Sequence, residues 1–159
     1  MSAAPLQVAV TDGVACVRVT GPANVTLGVD FKAVVANACE QGGRVLLLDL
    51  TECVNMDSTF LGILLGMTGR LDRIELLNAS ERIRDLLDSL GVLELLHLGD
   101  GPNPFDDQLI AAERTDADKR ELAKASLEAH RLLMEVNPDN VPKFRDVTKF
   151  LAEEVEGGA

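Results

Sequence analysis

Residues 46–66 read LLLDLTECVNMDSTFLGILLG, and this stretch decides the fold. Val45–Leu50 is a continuous apolar run, as expected for a central strand covered on both faces. A short polar loop follows. Asp57-Ser58 then opens a helix too apolar to face water, with Asp57 as N-cap and Ser58 in the first turn. The first amides of any helix lack partners within it, and its dipole favours negative charge at that end. One hydroxyl, beside one carboxylate, is thus placed at the positive end of a buried helix.

Working outward, Leu6, Val8 and Val10 alternate with polar or small residues, Asp12-Gly13 follows, and Ala15, Val17 and Val19 alternate again. This is a β-hairpin with a primed two-residue turn, where Gly supplies the positive φ. Gly21-Pro22 breaks the second strand. From about Leu27 to Gln41 the period becomes helical, with Phe31, Val34, Val35 and Ala38 on one face, until Gly42-Gly43 stops it. Beyond the Asp57 helix, Ile74–Leu77 reads as a strand, and Ser80 caps a helix with the stripe Ile83, Leu86, Leu87 and Leu90. Gly91 ends that helix, and Val92–Leu98 reads as the last strand. The order β-β-α-β-α-β-α-β describes an α/β domain over residues 1–100, a mixed sheet with helices packed on one side. Residues 101–115, opening on Gly101-Pro102-Asn103-Pro104, read as a linker. Residues 116–156 read as a C-terminal helical hairpin: Leu122, Ala125, Ala129, Leu132, Leu133 and Val136 are in register, Asn137-Pro138 interrupts, and Phe144, Val147, Leu151 and Val155 continue.

The chain of 159 residues is long enough for a sizeable core, and with 47% hydrophobic residues but no Trp or Tyr that core must be aliphatic. The formal charge of −11 is spread over both parts, −6 in residues 1–100 and −5 in residues 101–159. Such a surface repels phosphate backbones and anionic lipid, so neither nucleic acid nor a membrane is an expected partner. The start MSAAPLQVAV has no basic region followed by an apolar one, and the apolar run Phe60–Met67 is too short to span a bilayer. Cys16, Cys39 and Cys53 are odd in number and widely spaced, and they read as free thiols in a reducing cytoplasm.

Phosphate on Ser58 would meet the free amides of its helix and need not unfold it. It would add about −1.5 to −2 charges beside Asp57 and repel a closely packed partner. Gly62 and Gly66 leave a bare strip where another backbone can approach. Phe60, Ile63 and Met67 share a second flank, which reads either as core or as an apolar patch open to a partner. The run Met56, Asp57, Ser58, Thr59, Leu61 and Gly62, with this element order, resembles the phospho-switch segment of STAS domains, the fold of bacterial anti-sigma factor antagonists. Phe60 departs from the family pattern, standing where a Gly is usual.

The resemblance implies a module that is not an enzyme and takes no cofactor of its own. Ser58 is then the phosphorylation site, and Asp57, Ser58, Thr59, Phe60, Gly62 and Ile63 form the partner-binding surface. The implied partners are a serine kinase that is itself the anti-sigma factor, and a cognate serine phosphatase. ATP belongs to the kinase and the metal to the phosphatase. The same family also contains constitutive scaffold subunits of stress-signalling and transport assemblies, in which Ser58 would only cap its helix. A small-molecule sensor using the crevice between sheet and helices, as for nucleotides in some members, is a third class, but no residue pattern supports it. The hairpin lies outside the minimal fold. It reads as a cover for one face of the domain, or else as a second docking or dimer surface.

Other candidates are weaker. Asp49 and Glu52 could in principle hold Mg²⁺, but no phosphate or calcium loop accompanies them, and Asp49 reads as satisfying local backbone groups. His97 is expected on the outer face of the last strand and His130 on a solvated helix flank. Neither has readable triad partners, and Asp57-Ser58 has no evident base.

Overall fold

The computed structural model describes residues 4–157, so the first residues of the expected domain lie outside it. Strands β1 (Leu6–Thr11) and β2 (Val14–Val19) form the antiparallel hairpin, with Asp12 at φ 51° and Gly13 at φ 80°. Positive φ at both central residues is the primed turn whose twist matches that of the strands. β2 pairs in parallel with β4 (Val45–Asp49), β4 with β6 (Arg73–Leu77), and β6 with β7 (His97–Gly99). With β8 (Ile110–Ala111) at the far edge, the sheet order is β7-β6-β4-β2-β1-β8, so the apolar run at 45–48 is its buried middle. Strands β3 (Gly21–Ala23) and β5 (Cys53–Met56) make a separate two-stranded parallel ladder that leads into Asp57.

Alternation along the strands sorts residues between two faces. Val17, Val19, Leu46, Leu48, Ile74 and Leu76 enter the main core with helices α1 (Val25–Glu40), α2 (Ser58–Leu65) and α3 (Glu81–Ser89). Cys16, Leu47 and Leu77 face the other way and are covered by Val14, Phe105 and Leu109. The expected mixed sheet with helices on one side is therefore present. Val92–Leu98 is shorter as a strand than its apolar pattern suggested, because residues 93–95 form a 3₁₀ turn before β7.

Residues 101–115 are not a free linker. Asp49, buried at the end of β4, accepts bonds from the Thr51 amide (3.0 Å) and hydroxyl (2.6 Å), the Asn103 side chain (2.9 Å) and Arg18 Nε (3.0 Å). Arg18 also pairs with Asp106. β8 (Ile110–Ala111) then adds to the β1 edge. The Gly-Pro composition marked a loop correctly, but its polar side chains bind it to the sheet's second face.

The hairpin consists of α4 (Lys119–Val136) and α5 (Val141–Gly157). Asp118 caps α4 in a reciprocal box with Glu121. The turn between the helices is held by Asn140, whose side-chain amide donates to the Leu90 and Leu133 carbonyls at 3.0 and 2.8 Å. Leu127, Ala129, His130 and Leu133 of α4 are buried, and the helix lies along α2 and against α1.

Candidate functional site

Asp57 is the N-cap of α2, its carboxylate accepting from the Phe60 amide at 2.8 Å. Desolvation pushes the Asp57 carboxyl up from its ordinary value, while the Phe60 amide, His130 and the Thr59 amide act in the opposite direction. Ser58 is the first helical residue and only partly exposed. Its hydroxyl lies 2.8 Å from His130 Nε2. His130 Nδ1 faces the Ser126 carbonyl at 2.7 Å, so Nδ1 carries a proton and donates to it, while Nε2 is turned toward Ser58. The ring also meets Phe144 of α5 edge-on, with centroids 4.8 Å apart.

His130 is therefore not on a solvated flank: it is 5% exposed and touches Ser58. The sequence reading missed it because a histidine does not count in an apolar stripe. The signal was present, since Ser126, His130 and Leu133 share one helix face with Ala129. Ser58 thus has a base within reach, contrary to expectation. That base is oriented by a backbone carbonyl, and Asp57 is occupied as a cap, so the arrangement is not the acid-base-nucleophile relay of hydrolases.

Two further contacts continue the seam. Thr59 Oγ1 is 3.0 Å from Ser126 Oγ. At Gly62, a Cβ would stand 2.5 Å from the Ala129 carbonyl oxygen and 2.6 Å from Ala129 Cβ. The close backbone approach expected at Gly62 is thus made by this chain's own α4.

Of the expected partner-binding residues, Asp57 is exposed and Ser58 half-buried, while Thr59, Gly62 and Ile63 are buried, Thr59 and Gly62 in direct contact with α4. Phe60 requires correction. Its ring is fully buried and packs on Phe31 of α1, with centroids 4.9 Å apart. It is a core anchor of α2, because the helix turns it inward, where a surface position was expected. Beside the seam, Gly62, Ile63, Met67, Ala129 and Leu132 line an apolar groove of about 340 Å³ rimmed by Lys32 and Glu128.

A second anchor ties the start of the hairpin to the domain. Asp30 of α1, 1% exposed, accepts from the Thr115 amide (2.7 Å) and hydroxyl (2.5 Å) and from Arg114 Nε (2.6 Å). Burial alone would raise the Asp30 carboxyl, but these donors together hold it below the ordinary carboxylate value. Asp49 is held low in the same way, by Thr51, Asn103 and Arg18 against its own burial.

The remaining candidates are placed simply. His97 is exposed on β7, and Glu52 is exposed in the loop after β4. Burial raises the Cys16 thiol and pushes that of Cys53 up to about 11, so neither is a reactive thiolate. Among the described residues no cluster of three His, Cys, Asp or Glu could hold a metal ion, and no helix is long and apolar enough to cross a membrane.

The STAS domain family matches residues 5–104, and the chain belongs to that family. Among solved structures it is similar to the unphosphorylated anti-sigma factor antagonist SpoIIAA, whose phosphorylated form from Bacillus also matches. The unphosphorylated form shows 21% identity and TM-score 0.56 over 65% of this chain and 93% of that one. An anti-sigma factor antagonist from Mycobacterium paratuberculosis matches at 19% identity, TM-score 0.53, over 65% and 89%. A putative antagonist from Thermotoga maritima matches at 15%, TM-score 0.55, over 65% and 92%. These likenesses concern the fold. None of the curated proteins matches the sequence.

Proposed function

We propose that this chain is a phosphorylation-gated protein-binding module, acting as an anti-sigma factor antagonist in a bacterial partner-switching pathway. One observation carries the reading: Ser58 stands in the first turn of α2, beside its Asp57 cap, in a STAS fold. In the proposed cycle the unmodified chain engages a serine kinase that is itself the anti-sigma factor. The γ-phosphoryl group of kinase-bound ATP passes to Ser58 Oγ, which loses its proton, and ADP leaves. A metal-dependent serine phosphatase hydrolyses the phosphoserine and releases inorganic phosphate. The dianion beside Asp57 disfavours the packed complex, while the positive end of the α2 dipole lets the helix tolerate it. Asp57, Ser58, Thr59, Gly62 and Ile63 form the docking face. The cycle would run in the cytoplasm, where Cys16, Cys39 and Cys53 stay reduced.

The cover that α4 lays over Ser58 favours a second reading, a constitutive scaffold subunit in which Ser58 is only a helix-start residue. Baits of wild type, Ser58→Ala and Ser58→Asp, incubated with lysate of the native organism, separate the two. A kinase-like ATPase held by the first two and lost by the third, with phosphate on Ser58 of the wild-type bait, supports the switch. The same proteins on all three baits, with no phosphate, would leave the scaffold.

A further inference from the structure

The hairpin that follows the family domain is seated on the very face that the switch would use. The family match ends at residue 104, and the similar solved structures are spanned over 89–93% of their length by about two thirds of this chain. Those domains therefore leave little room for a counterpart of α4 and α5. Here three contacts run in succession along the two helices: Ser58 with His130, Thr59 with Ser126, and Gly62 with Ala129. The first two are polar and specific, and the third leaves no gap for a methyl group. The hairpin is also tethered at its start, where Arg114 and Thr115 bind Asp30, and at its turn, where Asn140 binds Leu90.

We propose that α4 is a built-in occupant of the switch face, and that a seated α4 and a phosphoserine at position 58 exclude each other. Ser58 Oγ is already in contact with the His130 ring, which is backed by Phe144. A phosphoryl group on that oxygen needs the space the ring fills, and packed interiors do not yield by small deformations. Asp57, the other ionisable group flanking Ser58, adds repulsion. In the unmodified chain, α4 competes with a kinase for Thr59, Gly62 and Ile63. In the modified chain, α4 stays off and the phosphoserine stands open to a phosphatase. The biological use of this device rests on the switch reading above, but its physical content does not.

The test therefore needs no kinase. Full-length chain is produced with phosphoserine incorporated translationally at position 58, and its amide hydrogen exchange is compared with that of the unmodified chain. Exchange of α4 amides over residues 123–136 is expected to accelerate about tenfold or more, as for local opening of a helix, with the β2, β4 and β6 amides unchanged. Ala129→Arg, which cannot fit against Gly62, gives the signature of a displaced α4. Unchanged or slower α4 exchange in the phosphoserine chain would overturn the proposal, showing that His130 clamps the phosphate in place. Loss of protection in the sheet as well would also overturn it, because α4 would then be inseparable from the domain. Absence of phosphate on Ser58 in the native organism would sink the switch reading and leave this result standing.

Discussion

Ser58 and His130 are 72 residues apart in the chain and 2.8 Å apart in the folded protein, joining the first turn of α2 to the middle of α4. The bond makes a residue outside the family domain part of the Ser58 site. His130→Ala removes the hydrogen-bond partner of Ser58 and the edge contact with Phe144. A net hydrogen bond contributes about 1 kcal/mol and an aromatic pair about as much again. Urea unfolding is expected to show a loss of about 2 kcal/mol. A variant as stable as wild type would mean that the hairpin is not held through this ring.

Gly62 and Gly66 look alike in sequence, but the structure separates them. A Cβ at Gly62 would strike the Ala129 backbone at 2.5 Å, whereas at Gly66 the nearest atom outside its own helix is Leu132 Cδ2 at 3.7 Å. Gly62→Ala is therefore expected to cost about 2 kcal/mol, as overpacked sites do. Gly66→Ala should stay within about 0.5 kcal/mol of wild type. The two variants, compared by denaturant midpoint at equal m-value, check this. Equal effects would contradict the backbone contact.

Asp49 organises the second face of the sheet. It is the common acceptor for Thr51, Asn103 and Arg18, so its loss removes the buried one of Arg18's two carboxylate partners and the shared acceptor of two polar side chains. Asp49→Ala is expected to destabilise the chain by about 3 kcal/mol, the range seen when one partner of a buried pair is removed. Limited proteolysis should then cut between residues 101 and 109 in the variant and spare that segment in wild type. Resistance of that segment in the variant would show that Phe105 and Leu109 hold it alone.

The sheet was legible because its signals are local. Asp12-Gly13 demands a primed turn, the run 45–48 has no polar face, and Asp57 and Ser80 announce the helices they cap. What the sequence hid depends on distance. Asp30 reads as an ordinary polar position of α1, and only the return of the chain at Arg114 and Thr115 gives it partners. Asn103 lies in a Gly-Pro loop whose composition suggests freedom, yet it reaches Asp49. The amphipathic stripe of α4 shows that the helix packs on something, but not that the surface is α2. Phe60 was misplaced for the same reason, since facing Phe31 or facing a partner leaves the same letter in the sequence.

Asp30 carries a pH dependence whose sign follows from its partners. Its carboxyl is held below the ordinary value in the folded chain, and so is that of Asp49. Their stabilisation is complete above the ordinary carboxylate range, where both states are ionised. On acidification the unfolded chain takes up protons first, and the stabilisation drains away until the folded groups protonate too. Asp57 is shifted the other way, so it offsets part of this loss. Thermal unfolding between about pH 6 and pH 3 should therefore show stability falling over the lower half of that window. Asp30→Asn keeps the shape but cannot pair as an anion with Arg114. It should unfold at a lower temperature at neutral pH and approach wild type as the pH falls. The same variant should expose the start of the hairpin near residues 113–118 to protease before any other segment. A parallel pair of pH curves, with no convergence in acid, would mean that the Thr115 bonds alone hold the hairpin and that the Arg114 ion pair contributes nothing.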